Sequence, residues 1–382
     1  MTGLEPGWLI RAMALAQSLS RTAPEERSTR AVAWWLLAIA VMIYIMIVIG
    51  GLTRLTESGL SIVEWRPFTG IIPPLTETDW QALFEQYKQY PEFQKVNRDM
   101  TLAGFQAIFW LEYVHRLWGR LIGVAFLVPF VWFLLRGRID RALAPRLAII
   151  FVLGGLQGAL GWYMVQSGLV DRPDVSQYRL AAHLAFALAL YGYLMWLVFG
   201  LLARPRVPAG RVPGWLGPAA GAAFALVCLT IVAGAFVAGL DAGLIYNEFP
   251  LMGGGLAPPD LFAMEPAWKN FFENPSAVQF MHRVLAVLTA AAVVLLWLGT
   301  RLGGVAPRLR ASASVLMAAA ALQVLLGIST LLLFVPLYLA SLHQATAVLV
   351  FTAAIWLLHE IRMAAPGGGI TRSARSAAVA TP

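Results

Sequence analysis

The sequence predicts an all-α integral membrane protein with eight transmembrane helices, arranged as two pseudo-symmetric four-helix bundles. Composition is the first observation behind this prediction: 59% of the 382 residues are hydrophobic, 13% are charged, and the mean hydropathy is +0.71. Such values exclude an ordinary soluble domain. The second observation is that the apolar residues form runs of about 20, the length that crosses a hydrocarbon core of roughly 30 Å.

The eight apolar runs follow one another along most of the chain. They lie near 33–53, 104–134, 147–166, 180–202, 216–239, 278–300, 312–333 and 338–360. The second run is longer than a bilayer requires, so we expect its first turns to rise above the membrane. Residues 1–30 are polar and contain arginine, so the first run is interpreted as a retained span and not as a cleaved signal peptide.

The charged residues give the orientation of these spans. A net charge of +8 is also typical of nucleic-acid-binding proteins, but here the arginines cluster in short connections between apolar runs. We therefore expect a lipid bilayer as partner and no nucleic acid. Every second connection is rich in arginine, and the positive-inside rule then places both termini in the cytoplasm. The acidic and aromatic connections 54–103 and 240–277 lie on the outer side.

An internal repeat divides the chain into two units. His115 and His282 are 167 positions apart, and two pairs of segments repeat at separations of 166 and 184: 156–161 with 322–327, and 58–65 with 242–249. An even number of spans separates the repeats, so both units run in the same direction, unlike the inverted repeats of many transporters. The predicted organisation is a cytoplasmic segment (1–32), an N-terminal bundle (33–202), a cytoplasmic linker (203–215), a C-terminal bundle (216–362) and a cytoplasmic tail (363–382) that we expect to be disordered.

Four of the five histidines occupy matching positions in the two units. They are His115 and His183 in the first and His282 and His343 in the second. Ionisable residues are costly inside a membrane and indicate function. All four lie near the outer ends of their spans, at the shared depth that ligation of one iron by two facing imidazoles requires. We predict a bis-histidine haem site in each bundle, with hydrogen bonding between helices as the alternative.

The two predicted sites differ in one neighbouring residue. Glu112 precedes His115 by one helical turn, and its counterpart in the second unit is Gln279. A buried carboxylate can act as an acid or base, or stabilise a developing cation. We therefore predict chemistry at the first site and a resident cofactor at the second. The alternative is that Glu112 only pairs with Arg116 or Arg120.

Arginines directly follow the first histidine of each unit. They are Arg116 and Arg283, and haem propionates are anions that arginine binds well. Both are therefore candidate cofactor-binding residues. The alternative is that their side chains extend to lipid phosphates.

Three motifs in this order resemble the haem A synthase family. They are GLTRLTESGLS at 51–61, EYVHRLWGR at 112–120 and DAGLIYNEFPLM at 241–252. The resemblance covers roughly residues 30–362 and is to the longer form found in alphaproteobacteria and mitochondria. The shorter bacterial form has paired cysteines in its outer loops. The only cysteine here is Cys228, inside an apolar run, so no disulfide-dependent step is transferred from that form.

The resemblance implies an oxidoreductase that converts the C8 methyl of haem O into the formyl group of haem A, with water as the oxygen source. It implies that His115 and His183 flank the substrate, with Glu112 as the essential acidic residue. His282 and His343 would ligate a resident haem b. The implied setting is the cell inner membrane, with the haem sites near the periplasmic side and haem O synthase and terminal oxidase assembly as partners.

Two other functions remain open at this point. A diheme membrane electron carrier of the quinone-linked cytochrome b type would use the same histidines, but it predicts two equivalent sites. A haem transporter or chaperone would need a polar path to the cytoplasm, and the inner halves of the spans are apolar apart from Gln157 and Gln323. The electron acceptor stays unidentified, and a homo-oligomer is compatible with the sequence.

Overall fold

The computed structural model describes residues 7–66, 69–170, 173–203 and 212–364. Most of these residues lie in helices. The helices are α1 (Gly7–Leu55), α2 (Glu77–Tyr87), α3 (Pro91–Lys95), α4 (Leu102–Leu135), α5 (Ala144–Gln166), α6 (Gln177–Leu202), α7 (Leu216–Gly239), α8 (Asn270–Glu273), α9 (Pro275–Leu302), α10 (Pro307–Leu332) and α11 (Leu337–Ala364). Within the described residues, eight helices are long and apolar enough to cross a membrane: α1 from Thr29 onward, α4, α5, α6, α7, α9, α10 and α11. The predicted all-helical class with eight candidate spans is confirmed, and the cytoplasmic position of the termini stays a prediction.

The predicted limits of the spans agree with the helices to within a few residues, except at the beginning of the first span. The span 216–239 coincides with α7, whereas α1 begins at Gly7 and runs through the predicted cytoplasmic segment 1–32. Hydropathy reports only the part of a helix that lies in lipid, so it gives no signal for such an extension. Most of the predicted linker and nearly all of the predicted tail lie outside the described residues.

Local signals in the sequence explain where several helices begin. Thr76 caps α2 through a reciprocal pair of hydrogen bonds with Asp79, and Thr101 accepts a hydrogen bond from the amide of Gly104 at the start of α4. Asn274 caps α9 in the same way, and Pro275 follows it as the first helical residue. Such residues satisfy amide groups that have no partner within the helix.

The spanning helices of each half pack in a ring of four. In the N-terminal half α1 contacts α4 and α6, and α5 contacts the same two helices. In the C-terminal half α7 contacts α9 and α11, and α10 contacts those two. Helices at matching places in the repeat thus have matching neighbours, and this correspondence supports the interpretation of two related bundles.

Hydrogen bonds between helices supplement apolar packing inside the bundles. Lipid chains are as apolar as leucine, so close packing and polar contacts are what favour helix association in a membrane. In the N-terminal bundle, the indole of Trp35 donates to the carbonyl of Ala125 at 2.9 Å, and that of Trp118 donates to Met42 at 2.8 Å. Both bonds join α1 to α4.

The two halves share an extended interface. α6 contacts α7 and α11, and α1 contacts α11. Between α6 and α11, the hydroxyls of Tyr191 and Thr352 are 2.8 Å apart, and a Cβ atom added to Gly192 would lie 3.0 Å from the ring of Phe351. Buried side chains from both halves form one apolar core cluster. The halves therefore pack as a single body.

The outer connection between α1 and α4 folds over the end of the N-terminal bundle. It contains α2 and α3, and α2 packs against α4. A second core cluster of buried aromatic rings joins these elements: Phe84, Tyr87, Phe105, Phe109 and Tyr113, with Ile62 and Phe93 partly buried against them. We call this group the aromatic cap.

Candidate functional site

The four paired histidines each lie against a glycine of a neighbouring helix. A Cβ atom built on that glycine would lie 3.2 Å or less from the imidazole, tighter than ordinary van der Waals contact. The pairs are His115 with Gly50, His183 with Gly161, His282 with Gly234, and His343 with Gly327. The glycines follow the sequence repeat, at separations of 184 for the first and third and 166 for the other two. Only a residue without a side chain allows this approach of ring to backbone.

Each pair of histidines comes from two helices on opposite sides of a bundle. In the N-terminal half α4 and α6 are both neighbours of α1 and α5, so His115 and His183 face each other across the ring. His282 on α9 and His343 on α11 are related in the same way. The two imidazoles of each pair are near enough that a positive charge on one would repel a positive charge on the other, for His115 with His183 and for His282 with His343. The structure thus brings the histidines together in the predicted pairs.

A backbone contact orients the His282 imidazole. Its Nδ1 lies 3.1 Å from the carbonyl oxygen of Thr230 on α7. A carbonyl only accepts hydrogen bonds, so Nδ1 carries the proton and donates it. Nε2 then keeps its lone pair, which is the form of the ring that binds a metal.

Repeat-related glutamines lie beside the other histidine of each half. Gln157 on α5 donates to the carbonyl of His183 at 2.9 Å, and the same amide nitrogen lies 3.2 Å from Nδ1 of that ring. Gln323 on α10 lies 3.4 Å from Nε2 of His343. Both glutamines therefore contact the histidine of the neighbouring helix and restrict the position of its ring.

Glu112 is buried and held by four hydrogen bonds. Its side chain is 3% exposed. One carboxylate oxygen accepts from the Ser61 hydroxyl and the Ile62 amide, both at 2.7 Å. The other accepts from Arg116, from Nε at 3.0 Å and from Nη2 at 2.6 Å. Loop and helix together fix the carboxylate one turn before His115.

Arg116 and Arg283 make matching hydrogen bonds to the outer loops. Arg116 donates to the carbonyls of Ile62 (2.6 Å) and Glu64 (2.9 Å), and Arg283 donates to those of Tyr246 (2.7 Å) and Glu248 (2.8 Å). The accepting residues are again 184 positions apart. Each arginine therefore ties an outer loop to the helix that carries a histidine.

Gln279 takes the place of Glu112 in the C-terminal half and is equally buried, at 3% exposure. Its amide nitrogen donates to the carbonyl of Tyr246 at 3.1 Å, and its carbonyl oxygen has no hydrogen-bond partner within the described residues. In the first half the backbone amide of Ile62 donates to Glu112. In the second half the amide at the corresponding position, Tyr246, does not donate to Gln279. The two sites have matching histidines, glycines and arginines, and they differ in one buried carboxylate, that of Glu112.

The structure selects between the two pairings that the sequence left open for Glu112. Arg116 is its partner, and Arg120 donates instead to the carbonyl of Arg66 at 2.8 Å. The proposed binding of propionates by Arg116 and Arg283 stays a prediction, because both guanidinium groups donate to loop carbonyls in this structure.

Sequence reasoning missed several residues that shape the sites. Ser61 ends the motif at 51–61, but the motif by itself indicates no role for its side chain. The sequence likewise does not single out the repeat-related Gly50 and Gly234. The separation of 184 that relates the loops also relates these two glycines, so extending that comparison back along the chain identifies them. The fifth histidine, His359 near the end of α11, is 4% exposed and packs against the ring of Trp196.

Comparison with known proteins gives a consistent result. The family model described as cytochrome oxidase assembly protein (COX15-CtaA) matches residues 33–355. A Rhodospirillum centenum protein named haem A synthase is 53% identical over 352 residues, covering 90% of this chain and 93% of that protein. A Parvibaculum lavamentivorans haem A synthase is 51% identical, covering 88% and 96%. The mouse protein named haem A synthase COX15 is 44% identical, covering 89% and 84%.

Proposed function

Because the chain belongs to the cytochrome oxidase assembly family that this model describes, we propose that it is a haem A synthase. In this proposal it oxidises the C8 methyl of haem O to the formyl group of haem A, which terminal oxidases use. The names of the relatives support the overall activity. The assignment of the reaction to particular residues rests on the geometry of the two bundles.

One observation carries that assignment: the carboxylate of Glu112 in the N-terminal half is replaced by the amide of Gln279 in an otherwise matched frame. An enzyme that modifies one haem and uses another needs two unequal sites. A fixed negative charge distinguishes the first site, and such a preorganised charge stabilises positive charge that develops in a transition state. We therefore assign the reaction to the N-terminal bundle.

In the N-terminal site, His115 and His183 hold the iron of the substrate haem O between them. Gly50 and Gly161 leave the space in which these rings lie. Glu112 faces the positive charge that grows on the C8 carbon as electrons are removed. Since its oxygens already accept four hydrogen bonds, Glu112 acts by charge and not by carrying protons.

The C-terminal site suits a resident haem b. His282 and His343 would hold its iron, and the hydrogen bond from Nδ1 of His282 to Thr230 leaves Nε2 of that ring free to bind a metal. Gly234 and Gly327 leave the space in which these two imidazoles lie, and the imidazole donors suit an iron porphyrin. When bound, haem b supplies one-electron redox chemistry. Arg283, and Arg116 in the first site, are the candidate partners of the propionates.

The membrane setting follows from the charge distribution of the chain. We place both termini in the cytoplasm and both haem sites near the periplasmic side of the inner membrane, because arginine-rich connections alternate with acidic ones. Haem O synthase and the oxidase assembly machinery are the expected partners, and an external electron acceptor completes the reaction.

Haem identification separates this function from a diheme electron carrier. The chain is co-expressed with a source of haem O, and the haems extracted from it are identified by mass. A synthase yields haem A together with haem b. An electron carrier of the cytochrome b type yields haem b alone, and that result would rule out the proposed activity. A His115→Ala, His183→Ala variant that still produced haem A would overturn the assignment of the substrate site.

A further inference from the structure

The aromatic cap encloses a carboxyl group that has no part in the chemistry described above. Glu92 on α3 is 4% exposed, although it lies in an outer connection and not in a span. The hydroxyl of Tyr87 donates to Glu92 at 2.9 Å, and the amide of Asn97 donates to that hydroxyl at 2.9 Å. Tyr87 itself is fully buried. A carboxyl group is rarely buried unless it is paired, and a buried carboxyl beside a functional site is a candidate for a functional role.

The cap connects this pair to the carboxylate of Glu112. Tyr87 packs on Phe105, two turns before Glu112 on α4, and the rings of Phe105 and Phe109 are neighbours on the same helix. Ile62 packs against the cap and also donates its amide to Glu112. The pair is therefore linked to the N-terminal site through the packing of the aromatic cap.

The surrounding charges place Glu92 in a position to exchange protons. Burial raises the pKa of Glu92, the hydrogen bond from Tyr87 lowers it, and the negative charges of Glu112, Glu57 and Asp174 raise it; the resulting pKa is about 8. Burial and the charge of Glu92 also raise the pKa of the Tyr87 phenol. A carboxyl with a pKa near the ambient pH is well suited to accepting and releasing protons.

The proposed reaction needs such a group. Oxidation of a methyl group with oxygen from water follows R–CH3 + H2O → R–CHO + 4 H⁺ + 4 e⁻. The four electrons leave to the oxidant of the overall reaction, a one- or two-electron membrane carrier, and the four protons must be removed. Glu112 is poorly placed to accept them, because both of its oxygens are occupied by strong donors.

We propose that Glu92, with Tyr87 as its hydrogen-bond donor, is the proton-accepting relay of the N-terminal site. The ionised carboxylate takes up a proton released at the reacting centre, becomes the neutral acid, and passes the proton to the outer aqueous side. Glu92 does not touch the substrate and acts as a relay. This inference rests on the proposed haem A synthase activity.

Among the described residues of the C-terminal outer loop, the comparable tyrosine–carboxylate pair is Tyr246 with Asp260, although Tyr246 corresponds in the repeat to Ile62 and not to Tyr87. There the hydroxyl of Tyr246 donates to Asp260 at 3.0 Å, but Asp260 is exposed. Hydrogen bonds from Ser276 and Tyr246 lower the pKa of Asp260. It therefore stays ionised at neutral pH and does not exchange protons. The difference agrees with the placement of proton-releasing chemistry in the N-terminal bundle alone.

The test is the pH dependence of haem A formation by the full-length, haem-loaded protein between pH 6 and 9. The wild-type rate rises with pH as Glu92 ionises, with an inflection near 8. Glu92→Gln lowers the rate by about 100-fold, in the range of a lost acid–base group, and removes the inflection. Glu92→Asp restores both in part. The matched control is Glu85→Gln on α2, an exposed carboxylate that bonds Lys88, which leaves rate and profile unchanged.

Tyr87→Phe gives an independent readout if Glu92→Gln fails to fold. It removes the hydrogen bond that lowers the pKa of Glu92, so the inflection moves to higher pH. The haem b spectrum stays at its wild-type intensity in each folded variant. An inflection unmoved by Tyr87→Phe, or wild-type rates in Glu92→Gln, overturns the relay. A wild-type protein that makes no haem A contradicts the proposed function itself, which is a distinct outcome.

Discussion

Arg116 donates two hydrogen bonds to one oxygen of Glu112, at 2.6 and 3.0 Å, one turn along the helix that carries His115. The same guanidinium holds two carbonyls of the outer loop. A single arginine therefore fixes the acidic group, the helix and the loop relative to one another. In the C-terminal half Arg283 holds the loop alone, because no carboxylate is present.

Removal of Arg116 should destabilise the protein more than removal of Arg283. Arg116→Ala leaves the buried Glu112 charge without its partner, and breaking a buried ion pair in this way costs about 3–5 kcal/mol. Arg283→Ala removes hydrogen bonds to carbonyls and leaves no charge unpaired. Thermal unfolding of the two variants in detergent measures the difference. Adding Glu112→Gln to Arg116→Ala should recover part of the loss, and equal losses in the two single variants would contradict this account.

Gly327→Ala should displace the imidazole of His343. The added Cβ atom would lie 2.8 Å from Cε1 of the ring, the closest of the four glycine contacts. We expect the low-spin haem b signal in reduced-minus-oxidised spectra to fall several-fold. The control is Gly123→Ala in α4, where nothing lies within 4 Å of the new atom and helix propensity favours alanine by about 1 kcal/mol. Full haem b content in Gly327→Ala would argue against His343 as a ligand.

Gly51→Ala should disturb both sites at once. Its Cβ atom would overlap the amide oxygen of Gln344, whose nitrogen donates to the carbonyl of Ile47 across the boundary between the halves. Gly51 follows the glycine that contacts His115, and Gln344 follows His343. Overpacking of this kind costs about 1–3 kcal/mol. The double variant Gly51→Ala, Gln344→Ala should regain stability in a thermal melt, and additive losses would disprove the contact.

The raised pKa of Glu92 predicts a loss of stability at alkaline pH. The folded protein binds this proton more tightly than the unfolded chain, so the stabilising contribution is complete below the ordinary value of 4.5 and is lost as pH rises through about 8. The melting temperature of the wild type should therefore fall between pH 6 and 9 relative to that of Glu92→Gln. Parallel curves for the two proteins would show that Glu92 is not buried as an acid.

The sequence alone predicted the parts that depend on composition and repetition. Apolar runs located the eight spans, and the repeat paired His115 with His183 and His282 with His343. The comparison of Glu112 with Gln279 identified the inequality of the sites. These features can be predicted because they depend only on which residue types occur and on how far apart they lie along the chain.

The remaining features depend on how helices rotate and which loop covers which helix. Gly50 gains its role only when α1 turns that face toward His115. Ser61 and the amide of Ile62 reach Glu112 because the outer loop folds back over α4. The burial of Glu92 results from the packing of α2 and α3 into the aromatic cap, in a connection for which the sequence suggested no role. Tertiary contacts of this kind have no local sequence signal.

The most direct test of the central claim is haem analysis of Glu112→Gln beside Gln279→Met, a substitution of similar size at the equivalent position. Both variants are co-expressed with a source of haem O, and the extracted haems are identified by mass. We predict that Glu112→Gln retains haem b and accumulates haem O without haem A, whereas Gln279→Met makes haem A at close to the wild-type level. Equal amounts of haem A from the two variants would contradict the assignment of the reaction to the N-terminal site.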